Sequence, residues 1–252
     1  MRSTKHDPPS PILLLCAHLL LVSALRAQER CAVEVKLLLS PTETQTAIAS
    51  LNVGKETTGR VYFFDTSSLD LLSQGVIVRL RQGSANDLTV KLRLPNGKRL
   101  HDPSGGREDF KCEADLNAGR AALSYSIRSS YAAVRLPETG NDISSLVSAG
   151  QEKLLQEAQV SIDWGRVKRI ADIKATDWQT KAQPHFKKLS LELWEWPTGK
   201  ILELSTGVGP DAGPSTYTEL QQLVKAKGLT VSGSQRPKTT MVLEALTHAV
   251  AH

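Results

Sequence analysis

Apolar and polar positions alternate along most of this chain, and the period is that of a strand rather than a helix. In CAVEVKLLL (31–39), Val33 and Val35 share one face while Glu34 and Lys36 share the other. The following run, PTETQTAIASL, switches to helical spacing, with Thr42 as a candidate cap and Ala47, Ile48 and Leu51 apolar. GVIVRLRQGSANDLTVKLRLP (75–95) predicts a hairpin of two-faced strands. Ile77, Arg79 and Arg81 oppose Val76, Val78 and Leu80, and Thr89, Lys91 and Arg93 then oppose Leu88, Val90, Leu92 and Leu94.

The pattern continues in REDFKCEADL (107–116), where Lys111, Glu113 and Asp115 face away from Cys112 and Ala114. In WGRVKRIADIKATDW, Arg166 and Lys168 fall in step with Lys174. FKKLSLELWEW sets Lys188, Ser190 and Glu192 against Leu189, Leu191 and Leu193, and ILELS sets Glu203 and Ser205 against Leu202 and Leu204. Between the strand regions, a segment of about 117–159 is predicted to be helical, as two helices divided by LPETGND, with Asp142 capping the second. Two more helices are predicted, over 216–227, ended by Gly228, and over RPKTTMVLEALTHAV near the C-terminus.

Composition narrows the class less than the pattern does. With 252 residues, 40% of them hydrophobic and 23% charged, the chain has enough apolar material for a real core. A net charge of +5 permits polyanionic partners but selects none. The N-terminus reads differently: Arg2, Lys5 and His6 precede the eleven-residue apolar run ILLLCAHLLLV, and ALRAQ follows. That order predicts a signal peptide over 1–27 and an exported protein, periplasmic or secreted, with no stable membrane span after cleavage. Cys31 and Cys112 then remain, both on the outward face if Glu34 and Lys36 share a face with Lys111 and Glu113. Disulfide and free thiols are both open.

A charged strand face ordinarily meets water. Here at least five strands carry charges at period two, several with both signs on one face. Curling the sheet into a barrel with apolar faces outward would turn these charges into a lumen. Arginine forks grip phosphoryl oxygens in two-point fashion, and carboxylates hold Mg²⁺ or Mn²⁺. No nucleic-acid partner is expected, because acids alternate with bases on the same faces and no nucleic-acid motif accompanies them. GVGPDAG (207–213) reads as a turn rather than a phosphate loop. His185 reads as a surface residue, and Trp194 and Trp196 read as edge packing.

The block YFFDTSSLDLLSQGVIVRLR, followed by LTVKLRLP, resembles the CYTH family of triphosphate tunnel proteins, which includes triphosphatases, thiamine triphosphatase and class IV adenylyl cyclases. The likeness runs over about 31–246. It implies an α+β fold, an antiparallel eight-stranded β-barrel with helices packed outside, as one tunnel domain over 31–247. It implies phosphate-binding roles for Lys36, Arg79, Arg81, Lys91, Arg93, Lys111, Lys168 and Lys238. Glu34, Glu192 and Glu203 are implied as metal ligands for Mg²⁺ or Mn²⁺, and Glu113 and Asp115 as catalytic. Acids are missing where the family pattern falls on Ala32, Trp194 and Ser205. The implied function is metal-dependent hydrolysis of triphosphate, polyphosphate or an organic triphosphate. The alternative is a non-catalytic protein that binds polyphosphate or another polyanion.

Overall fold

The computed structural model describes residues 31–83, 85–94, 98–132, 143–180 and 185–250, with side chains to 247. The leader expected over 1–27 and the predicted cap Asp142 lie outside the described residues. Nine strands close into a barrel: β1 (Ala32–Leu39), β2 (Val53–Asp65), β3 (Val76–Gln82), β4 (Asp87–Arg93), β5 (Asp109–Asn117), β6 (Arg120–Ser130), β7 (Lys168–Thr180), β8 (Ser190–Trp196) and β9 (Gly199–Val208). Around the barrel they run β1-β5-β6-β4-β3-β2-β7-β8-β9, and β9 returns to β1. Among the described residues five α-helices accompany them: α1 (Thr44–Ser50), α2 (Asp70–Ser73), α3 (Ala149–Glu157), α4 (Gly213–Ala226) and α5 (Lys238–Val250). None of the described helices is long and apolar enough to cross a membrane.

The expectation of eight antiparallel strands is corrected in two respects. Among the described residues there are nine strands, and β1 runs parallel to β5 while the other neighbours are antiparallel. One of the nine, β6, occupies the first half of the segment expected to be helical; α3 occupies part of the second half. The helical reading weighed the alanines and serines of β6 by local propensity. Pairing with β4 and β5 overrides that propensity: Leu123, Tyr125 and Ile127 pack outward, whereas Ala122, Ser124 and Ser126 are in register with inward residues of the neighbouring strands.

Two apolar layers lie outside the barrel wall. Val33, Val35 and Leu37 join Leu191, Leu193, Leu202 and Leu204 beneath Leu220 and Val224 of α4. Val78, Leu80, Val90, Leu92, Tyr125 and Ile127 pack against Leu154 and Leu155 of α3. A third cluster occupies part of the interior. Leu38, Phe63, Ile77, Ile173, Trp194 and Ile201 gather there with Val242 and Leu243 of α5. Part of the lumen is therefore plugged with apolar side chains, and the charged positions gather in the remainder.

Local structure at two points sets the strands that carry the charges. The Asp65 carboxylate accepts hydrogen bonds from the backbone N–H groups of Thr66, Leu71 and Leu72 at 2.7, 2.8 and 2.9 Å, which fixes the turn between β2 and β3. The Asp-Thr pair of the recognised block thus builds the turn and leaves the lumen to others. Gly75 then enters β3 with φ of 76°, and a Cβ there would meet the Arg93 carbonyl oxygen at 2.2 Å, so only glycine fits.

Cys31 and Cys112 form a disulfide with Cα atoms 4.9 Å apart, which settles the question left open by the sequence. Ala32 stands opposite Glu113, so the cysteines preceding them also meet across the parallel seam. Closing a loop across a separation of 81 residues restrains the unfolded chain. Replacing both cysteines by serine is expected to lower stability by about 3 kcal/mol, measured by denaturant unfolding of the oxidised protein beside the double variant.

Candidate functional site

Inward positions follow directly from the register. Glu34 lies opposite Asp115, and Lys36 lies between Asn117 of β5 and Ser205 of β9. Arg79 lies between Phe63 and Thr89, Lys91 between Ile77 and Ser126, and Glu203 between Glu192 and Leu38. These side chains surround a cavity of about 590 Å³ whose lining includes Lys36, Arg79, Lys91, Arg93, Asp115 and Glu203. The β5–β6 turn contributes Arg120 to the lining, and residues 233–239 contribute Arg236 and Lys238. Seven cationic side chains against two acidic ones line this space, so its field favours an anion. The small residues Ala122, Ser124 and Ser126 leave room for it.

The cations divide into held and free groups. Lys36 Nζ lies 2.6 Å from Asp115 and 2.9 Å from Glu34, and Lys91 Nζ lies 2.8 Å from Asp115. Arg93 approaches Asp115 at 3.6 Å. Burial drives Asp115 upward, but Lys36 and Lys91 outweigh it and hold the carboxyl well below its ordinary range. Burial likewise opposes the charge on Lys36, and Glu34, Asp115 and Glu203 overcome it. Arg79 differs. It has no ion-pair partner among the described residues, its Nε has no hydrogen bond, and burial followed by repulsion from Arg81 pushes it down to about 10. A half-buried guanidinium with an unsatisfied Nε is costly and marks a place for an anion.

The predicted roles are redistributed. Lys111 is exposed and does not line the cavity, and Lys168 is exposed at the start of β7. Both were expected to bind phosphate; the first lies on the exposed part of β5, and a register shift between β2 and β7 displaces the second. Arg81 is gripped by Asp87 through Nε at 3.0 Å and one terminal nitrogen at 2.7 Å, and it stands outside the cavity lining. The expected metal set Glu34, Glu192 and Glu203 is not assembled. Glu34 instead joins Glu113 and Asp115, with oxygens within 4.8 Å of one another, while Glu192 and Glu203 are held by Lys238. Trp194 is buried against Phe63, with ring centres 5.6 Å apart, and His185 is exposed.

Sequence reasoning passed over Asp87, Arg120, Asp177 and Arg236. Asp87 and Asp177 carried a signal, being in step with Thr89 and Lys91 and with Ile173 and Ala175. Arg120 lay in the segment read as helix. Arg236 comes from a loop that only the fold brings to the cavity.

Burial raises Glu203 to about 7, and Glu34 and Asp115 add to it against the pull of Lys36. Its acid form is therefore favoured in the folded protein. The associated stability is complete below the ordinary glutamate range and is lost as pH rises through about 7. An anion in the cavity meets a neutral Glu203 below that pH and a carboxylate above it. Tripolyphosphate affinity is accordingly expected to weaken severalfold from about pH 6 to about pH 8, and the Glu203→Gln variant to lose that part of the slope. Calorimetric titration of both proteins subtracts the ligand's own protonation. Parallel slopes would exclude the assignment.

No protein-family model matches this chain, and no curated protein matches it in sequence. Solved structures do share its fold. One is HpAC1 from Hippeastrum, a candidate adenylyl cyclase described as having a dominant triphosphatase activity; it is 18% identical, with a TM-score of 0.56, over 84% of this chain and 94% of its own. Another is a candidate adenylate cyclase from Bacillus halodurans, 13% identical with a TM-score of 0.55, over 84% of this chain and 97% of its own. At these identities the likeness is one of fold: a closed barrel with helices outside it.

Proposed function

We propose that this chain is an exported triphosphatase that grips a triphosphate-bearing substrate in its lumen and cleaves the terminal anhydride with the aid of a divalent cation. The observation that carries the reading is Arg79, half-buried and without an ion-pair partner among the described residues, on the wall of a cavity shared with Lys36, Lys91 and Arg93. A phosphoryl group placed there would accept the fork of Arg79 and the point charges of the two lysines. The likeness to a structure with dominant triphosphatase activity supports the same chemistry.

Glu34, Glu113 and Asp115 fit a hard cation such as Mg²⁺ or Mn²⁺, because all three offer oxygen and their oxygens converge within 4.8 Å. When bound, such an ion neutralises phosphoryl charge and acidifies a water. The chain's own groups then divide the work. Asp115 is committed to Lys36 and Lys91 and is a weak base. Glu113 is only loosely engaged, 3.8 Å from Lys91, and is the carboxylate best placed to take a proton. The water oxygen forms a bond to the terminal phosphorus, its proton passes to Glu113, and the bridging P–O bond breaks. The leaving phosphate oxygen keeps the electron pair and is stabilised by the cationic wall.

A second reading, polyanion binding without turnover, is favoured by the commitment of Asp115, Glu192 and Glu203 to lysines. Phosphate release from tripolyphosphate, with and without Mg²⁺ or Mn²⁺, separates the two. Metal-dependent release that is absent from Glu113→Gln supports hydrolysis. Binding without release supports the second reading, and neither would remove both.

A further inference from the structure

Glu192 and Glu203 stand opposite each other on β8 and β9, and Asp177 stands opposite Glu192 on β7. None of the three belongs to the Glu34, Glu113 and Asp115 group. Lys238, the first residue of α5, reaches this row. Its Nζ lies 2.7 Å from Glu203 Oε1, contacts Glu192 Oε2, and sits 4.3 Å from the centre of the Trp194 ring. The remaining oxygen of Glu192 accepts a hydrogen bond from Trp194 Nε1 at 2.6 Å. Both oxygens of Glu192 and one of Glu203 are thereby occupied by the chain itself.

We propose that Lys238 is a built-in cation that takes the place a divalent ion would otherwise hold on Glu192 and Glu203, so that the tunnel accepts one metal ion and not two. The inference rests on the metal reading of Glu34, Glu113 and Asp115 given above. Its physical basis is charge and tethering. Lys238, Glu192 and Glu203 together carry one net negative charge whether the shared proton sits on the amine or on Glu203. A divalent ion therefore meets about half the charge that the two carboxylates alone would offer. The amine is also intramolecular. Val242 and Leu243, on the same helix, are packed into the interior cluster, which holds Lys238 at a high effective concentration against any free cation. Trp194 adds to the arrangement by offering its ring face to the Lys238 amine and its N–H to Glu192.

The test is Mn²⁺ stoichiometry by calorimetry and by electron paramagnetic resonance of the folded, disulfide-bonded protein. Wild type is expected to bind one Mn²⁺ per chain, and Lys238→Met, which keeps the length and removes the charge, to bind two. A folded Lys238→Met variant that gains no ion, because Glu203 takes a proton instead, would overturn the proposal. So would a wild type that binds two. Should Lys238→Met fail to fold, Glu192→Gln decides alone. It is expected to leave wild-type Mn²⁺ affinity within about threefold, whereas a loss of tenfold or more would show Glu192 to be a ligand. Glu34→Gln tests the other reading separately. If wild type binds no Mn²⁺ but Lys238→Met binds one, the built-in cation stands and the Glu34 site falls.

Discussion

The Arg79→Ala variant is expected to bind tripolyphosphate close to a thousandfold more weakly while its melting temperature stays unchanged or rises slightly. The two effects have one cause. The half-buried Arg79 guanidinium has no ion-pair partner among the described residues, and burial and Arg81 act against its charge more strongly than Asp87, Glu34 and Glu113 favour it. Removing it takes away a partly desolvated charge whose net electrostatic contribution to the fold is unfavourable. With a polyphosphate in place the same group supplies a two-point, charge-assisted contact in a site of low dielectric, where losing one partner costs about 4 kcal/mol, or close to three decades in Kd. Lysine at this position keeps the charge and loses the fork, so Arg79→Lys should fall between. Calorimetric titration beside thermal unfolding reads both quantities. A Kd within about threefold of wild type, or a melting temperature several degrees lower, would make Arg79 a structural residue.

How much of this was legible in the sequence depended on whether period two survived in the side chains. Strands β1, β3, β4, β5, β8 and β9 announced themselves, because Leu and Val alternate with Lys, Arg and Glu, and their inward faces could be read directly. Strand β6 could not be read so. Its inward residues, Ala122, Ser124 and Ser126, must be small to leave the lumen open, and small residues blur the alternation toward helix. The function of the cavity thus concealed one of its own walls. The cavity-lining positions Lys36, Arg79, Lys91 and Arg93 were recoverable from parity and the recognised block. The grouping of the acids was not. Which carboxylates meet depends on barrel order: Glu113 and Asp115 reach Glu34 only because β5 lies parallel beside β1, and no local pattern encodes that pairing. Lys238 shows the limit most clearly. Its position was noted as basic, but its engagement with Glu192 and Glu203 depends on how α5 returns to the barrel.

The Asp115→Asn variant should have the opposite signature to Arg79→Ala: a large loss of stability that polyphosphate repairs. Asp115 is buried and is the common partner of Lys36 at 2.6 Å, Lys91 at 2.8 Å and Arg93 at 3.6 Å. The amide preserves the shape but leaves those cations facing one another with Glu34, Glu113 and Glu203 as the remaining nearby acids. Removing one member of a buried charge group costs about 4 kcal/mol, which for a domain of this size lowers the melting temperature by about 10 °C. Protonation acts in the same direction. Because the Asp115 pKa is held low, its contribution is present above the ordinary carboxylate range and is lost as pH falls through the lowered value. A polyanion entering the cavity supplies the missing negative charge, so saturating tripolyphosphate should raise the melting temperature of Asp115→Asn more than that of wild type, measured without divalent ions. Equal ligand-induced shifts in the two proteins would mean that phosphate and Asp115 do not share Lys36 and Lys91, and that the anion sits elsewhere in the barrel. A larger shift in the variant would place a phosphoryl group beside the same two lysines, where the chain now keeps a carboxylate in its stead.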